Sequence, residues 1–126
     1  MAYLDYLKIK TQLQARINSN ELPVMFRVNV EGYFKGDVTA IFPTESNSFN
    51  DNECVIYAHY GQHGIGNLDI LLDSNTTRLA KPQEYQPLLD ELNNVYDDVE
   101  LVVITEITPE MNQKRIAQSE EYRSKL

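Results

Sequence analysis

The stretch Val24-Met25-Phe26-Arg27-Val28-Asn29-Val30, followed by Gly32-Tyr33-Phe34-Lys35-Gly36 and then Val38-Thr39-Ala40-Ile41-Phe42, decides the fold. In the first segment the residues alternate with a period of two. Val24, Phe26, Val28 and Val30 share one face, and Met25, Arg27, Asn29 and Glu31 share the other. The expected strand has one face in a core and one in water. The short middle segment carries a glycine at each end, where a chain can reverse, and Val38, Ala40 and Phe42 then resume the same period. Two such runs with a tight connection predict an antiparallel hairpin facing one core.

Upstream of the hairpin, Tyr3, Tyr6, Ile9, Leu13 and Ile17 recur at steps of three and four, with Lys8, Lys10, Gln12, Gln14 and Arg16 between them. That spacing predicts an amphipathic N-terminal helix over residues 1–20, ending near Asn18-Ser19-Asn20 ahead of Pro23. Its apolar stripe must be buried, either on the chain's own sheet or against the same helix of a second copy, so monomer and homodimer are both open.

Downstream, Pro43 to Asn52 reads as a polar loop and Glu53 to about Tyr60 as a third strand, broken by the glycine-rich segment after it. Leu68, Ile70, Leu71 and Leu72 fit a buried strand and a single helical turn equally well, and Ser74 to Lys81 reads as a connection. Tyr85, Leu88, Leu89, Leu92 and Val95 mark a helix with Pro82 suited to its first position; Pro87 either kinks it or moves its start to near Gln86. Val99, Leu101, Val103, Thr105 and Ile107 define a fourth strand, apolar enough on both faces to be central. Thr108-Pro109-Glu110 then starts a last helix running to about Arg123, with a hydroxyl cap, a first-turn proline and a carboxylate near the positive end. Its apolar stripe is poor, which places it at the periphery. The sum is a single α+β domain over residues 1–126. It has a largely antiparallel four-stranded sheet with flanking helices, in the order α-β-β-β-α-β-α.

Composition agrees with one globular domain: 126 residues, 42% hydrophobic and 24% charged. No run approaches the roughly 18 apolar residues of a membrane span, and the N-terminus lacks the basic-then-apolar layout of a secretory signal. A cytoplasmic location without membrane contact is therefore expected. The single cysteine, Cys54, excludes an internal disulfide.

The net charge of −8 is uneven, because the acidic excess lies beyond residue 36. Between Pro82 and Gln113 there is no Lys or Arg, while Glu84, Asp90, Glu91, Asp97, Asp98, Glu100, Glu106 and Glu110 all fall there. Such a face repels nucleic-acid phosphates and suits a basic protein partner.

Reactive side chains and glycines coincide in Tyr57-Ala58-His59-Tyr60-Gly61-Gln62-His63-Gly64-Ile65-Gly66, which contains both histidines and three of the five glycines. Tyr57, His59, Tyr60, Gly61, Gln62, His63 and Gly64, together with Arg78, are the candidate binding residues. Metal chemistry would draw on His59 and His63 with Asp69, since zinc accepts imidazole and carboxylate. The glycines make a helix improbable here, so the His-x-x-x-His spacing does not put both rings on one face. The plainer assignment has His59 bonded to backbone on a strand face and His63 at an exposed loop tip. Along a strand Cys54, Ile56 and Ala58 face one way while Val55, Tyr57 and His59 face the other, so a Cys54–His59 dyad is not expected. The Gly-x-x-Gly-x-Gly pattern is neither a dinucleotide fingerprint nor a phosphate loop, and turn geometry accounts for it. No cofactor is implied. Eight tyrosines and no tryptophan point instead to a half-wet interaction surface.

Two segments carry a resemblance. Tyr57-x-His59-x-Gly61-Gln62-His63-Gly64 and Arg78-x-Ala80-Lys81-Pro82-x-Glu84-Tyr85-x-Pro87-Leu88-Leu89-x-Glu91-Leu92, followed by a tyrosine-containing turn and a strand ending Ile107-Thr108, resemble small proteins of bacteriophages and other mobile elements. The likeness runs from about Val24 to Met111. It implies a setting, phages and mobile elements, rather than a chemistry. The acidic excess beyond residue 36 and the lack of a catalytic constellation lead to the expectation of a non-enzymatic accessory protein that contacts a basic protein partner. The alternative is a small metal-dependent or hydrolytic enzyme centred on His59 and His63.

Overall fold

The computed structural model describes residues 20–58 and 62–126. The expected N-terminal helix, and with it the choice between its two burial partners, lies outside the described residues. So do His59, Tyr60 and Gly61. The described chain is α+β, with six strands in one sheet and three helices.

Strand β1 (Glu21–Asn29) is the centre, and β2 (Val38–Phe42) pairs with it antiparallel, Phe26 opposite Ala40 and Val28 opposite Val38. Gly32 and Gly36 have φ of +80° and +93° in the connection, a backbone region that costs other residues energy. Beyond β2 come β3 (Glu53–Ala58) and β4 (Gln62–Asn67), each antiparallel to its neighbour. The other edge of β1 is shared. Strand β5 (Thr77–Leu79) pairs antiparallel with Arg27 to Asn29, and β6 (Glu100–Val103) pairs parallel with Glu21 to Val24.

The α+β class and the β1–β2 hairpin are as expected; the sheet is larger. The glycine-rich segment does not simply break β3 but supplies β4, and Ser74 to Lys81 contains β5. Among the described residues strand β6 has one strand partner, β1, and is not central. In β4, Gly66 answers to packing rather than to a turn. A Cβ there would stand 2.5 Å from Leu71 Cδ1 and 2.7 Å from Ile56 Cγ2.

Between β4 and β5 lies α1 (Leu68–Leu71), so the ambiguous leucine-rich run is a helical turn. The Asn67 side chain caps it by accepting from Asp69 N at 2.9 Å. Helix α2 (Pro82–Val95) starts at Pro82 and runs through Pro87. Gln83 and Pro87 are both exposed, so the carbonyl left without a donor is open to water. Glu84 binds back to Lys81 N at 2.9 Å and closes the start of the helix.

Both faces of the sheet are buried, which corrects the expected wet face of β1. On one face Val24, Phe26, Ala40, Phe42 and Tyr57 pack against Tyr85, Leu88, Leu89 and Leu92 of α2, with the Phe26 and Tyr85 rings stacked at 4.6 Å. On the other, Met25, Ile41 and Cys54 meet Leu68 and Leu71 of α1, together with Ile104 and Ile107.

Helix α3 (Pro109–Ser124) begins at the Thr108 cap as expected, yet its buried side chains are Arg115 and Ser119. Arg115 donates to the carbonyls of Asp51 (3.0 Å) and Pro43 (2.9 Å), and Ser119 Oγ to Asp51 Oδ1 (2.5 Å). Gln118 donates to the Thr44 carbonyl and accepts from Ser46 N, both at 2.9 Å. The helix thus binds the β2–β3 loop by polar contacts and is not merely peripheral. Among the described residues no helix is long and apolar enough to cross a membrane.

Candidate functional site

The β3–β4 hairpin makes Tyr57 and His63 cross-strand partners on the α2-covered face. Their rings meet edge to face with centroids 4.9 Å apart. His63 Nε2 lies 2.6 Å from the hydroxyl of Tyr96, the residue that ends α2, and the Tyr96 ring packs on Phe42 at 5.4 Å. Four elements therefore contribute one aromatic group. Tyr57 is buried, Tyr96 half-buried and His63 exposed. His63 is accordingly a strand residue with a side-chain partner, not a loop tip.

Carboxylates border this group. Burial raises the Tyr57 hydroxyl above the ordinary tyrosine range, with the neighbouring Glu91 as the second cause. Tyr96 is also raised, first by burial, then by Glu45 and Tyr57. Both hydroxyls keep their protons at neutral pH. The bond to His63 then takes one of two forms: Tyr96 donates to a bare Nε2, or a protonated Nε2 donates to the Tyr96 oxygen. The arrangement holds rings in place and presents negative charge around them.

The remaining candidate residues are spread differently. Gln62 and Gly64 belong to β4, and His59, Tyr60 and Gly61 fall in the undescribed turn. Arg78 stands on β5, four strand positions from β4 in the sheet, roughly 19 Å at the usual strand spacing. There it makes a two-pronged pair with Glu84, at 2.8 and 2.7 Å. That contact, with the Lys81 N–H next in weight, holds the Glu84 carboxyl at about 2. Asp69 sits on α1, within 3.4 Å of Asn52 Nδ2. No group of three His, Cys, Asp or Glu side chains that could hold a metal occurs among the described residues.

Cys54 faces away from Tyr57 and His63, in the cluster with Met25 and Ile41, as strand alternation requires. Burial pushes its thiol up to about 12, against the opposing pull of Arg115, so it carries no thiolate to act with a histidine.

The sequence pattern alone did not single out Tyr96, Glu91 or Glu45 for this site. Their only signal was the excess of tyrosine and acid, since residues from a helix end and a distant loop leave no local spacing. Comparison of the chain with protein-family models, curated proteins and solved structures finds no match in any of the three.

Proposed function

We propose that this chain is a non-enzymatic interaction protein that contacts a basic protein partner through the acidic, tyrosine-rich surface around Tyr57, Tyr96, Glu91 and Glu45. The observation that carries this reading is the aromatic group bordered by carboxylates. It has a rigid apolar body, polar tips and nearby negative charge, which suits lysine and arginine side chains. A second observation supports it. Of the eight carboxylates between Pro82 and Gln113, only Glu84 has an ion-pair partner among the described residues. Seven remain to attract a partner's charge and to speed its approach. The resemblance to small phage and mobile-element proteins supports a partner in the bacterial cytoplasm.

The test is affinity purification from bacterial lysate at low salt, with the wild-type chain beside a Glu45→Gln, Glu91→Gln double variant. The expected result is a basic protein held by the wild type, released on the order of 0.5 M salt and missing from the variant eluate. Equal recovery by both chains, or none by either, would sink the reading.

A further inference from the structure

Strand β4 is the outer strand of the sheet beside β3, with no strand on its far side among the described residues. Two bonds set the phase of its ladder. Val55 N–H turns toward the β2 side to reach the Glu45 carbonyl, and Leu68 N–H reaches the Asn52 carbonyl. Cys54–Gly66 and Ile56–Gly64 are therefore the hydrogen-bonded pairs of the hairpin. The N–H and C=O of His63 and Ile65 point away from the sheet, and neither residue's backbone has an outer partner among the described residues.

Exposed edges in stable proteins carry a lysine, a proline or a bulge that discourages further pairing. Strand β4, Gln62-His63-Gly64-Ile65-Gly66-Asn67, has no Lys, Arg, Asp or Glu and no proline, and its register with β3 is unbroken. Ile65 is 51% exposed and lies on the same face as Val55 and Tyr57, its cross-strand neighbours' side. At positions 64 and 66 the opposite face of β4 is apolar: Ile56 lies beside both glycines, and Leu71 with Ile56 fills the space above Gly66.

We propose that β4 accepts an extended segment of the partner as a further antiparallel strand, with basic and apolar residues in alternation. Basic side chains fall on the Ile65 face, where their aliphatic stems lie along Ile65 and their charges meet the carboxylates around Tyr57 and Tyr96. Apolar side chains fall on the opposite face, alongside Ile56 and Leu71. Charge decides against a second copy of this chain, which would bring another −8 and the same carboxylates to the contact. The inference rests on the partner being basic, as argued above, and adds the mode of contact.

The probe is the blocked peptide Lys-Val-Lys-Val-Lys-Val. Residues opposite His63 and Ile65 exchange hydrogen bonds with β4 and share their face, so the lysines supply the bonded N–H groups. N-methylation of the lysines should weaken binding by about tenfold or more, while N-methylation of the valines leaves it nearly unchanged. Binding should also slow hydrogen exchange at the His63 and Ile65 amides. Ile65→Pro removes an outward N–H and leaves the inner ladder intact, so it should abolish binding while the remaining amide spectrum is preserved. Equal binding by both methylated peptides would overturn the proposal. So would exchange protection of His63 and Ile65 in the free protein, or a dimer that Ile65→Pro converts to monomer. If Glu45→Gln, Glu91→Gln weakens the peptide but Ile65→Pro does not, strand addition falls and the acidic-surface reading stands.

Discussion

Helix α2 meets the sheet through Tyr85, Leu88, Leu89 and Leu92, whereas helix α3 meets the β2–β3 loop through Arg115, Gln118 and Ser119. The first contact is non-directional and proportional to the apolar area removed from water. The second consists of bonds to particular carbonyls, and it fixes where a loop goes rather than how much surface is hidden. That difference bears on the site. The loop held by α3 carries Glu45, which Gln118 Nε2 approaches at 3.4 Å, and Glu45 is one of the carboxylates beside the tyrosines. One helix therefore builds the core while the other positions charge.

Three substitutions bear on this contrast. Phe26→Ala removes the ring stacked on Tyr85 from the α2 core and should cost roughly 3–5 kcal/mol in chemical denaturation. A loss below about 1 kcal/mol would mean that the α2 face is not the main core. Arg115→Ala strands the carbonyls of Pro43 and Asp51 and should cost about 2–4 kcal/mol. If it proves costlier than Phe26→Ala, the polar seam outranks the apolar one and the comparison inverts.

The smallest effect is expected at the start of α2. Glu84 has its carboxyl depressed to about 2 in the folded chain, below its ordinary 4.5, so its contribution is complete above about pH 4.5 and is lost as pH falls toward 2. Glu84→Gln should therefore be less stable than wild type at neutral pH, with the two chains converging in acid denaturation by about pH 2. A constant difference across that range would show that the carboxylate charge is not what anchors the helix.

The β1–β2 hairpin and the amphipathic α2 were legible because each declares a period, two or three to four, within a few residues. Met25 and Ile41 were legible as alternating strand residues, but not as core, because what covers their face comes from α1 and from Ile104 and Ile107, far along the chain. Gly64 and Gly66 look like turn residues by composition. At position 66 the nearness of Ile56 and Leu71 is what requires glycine in the strand. Strand β5 is three residues long, too short to show a period, and the parallel pairing of β6 depends on a partner near the other end of the chain. At the site, Tyr57 and His63 were marked by their segment. Tyr96, Glu91 and Glu45 reach it from α2 and a loop, and Arg78, grouped with them by resemblance, serves the opposite edge.

The shared edge of β1 also governs the order in which this chain can be completed during synthesis. Strands β1 to β4 form a meander of near neighbours and can assemble while the chain is still growing. Val24 meets Val103 only after β6 has left the ribosome, because parallel pairing joins the first described strand to the last. Until then the Glu21 to Val24 stretch of the central strand lacks its strand partner on that edge among the described residues. The step that closes the sheet is thus the last strand pairing to become possible, and the interval before it is when the chain is most exposed to mispairing with its neighbours on a polysome.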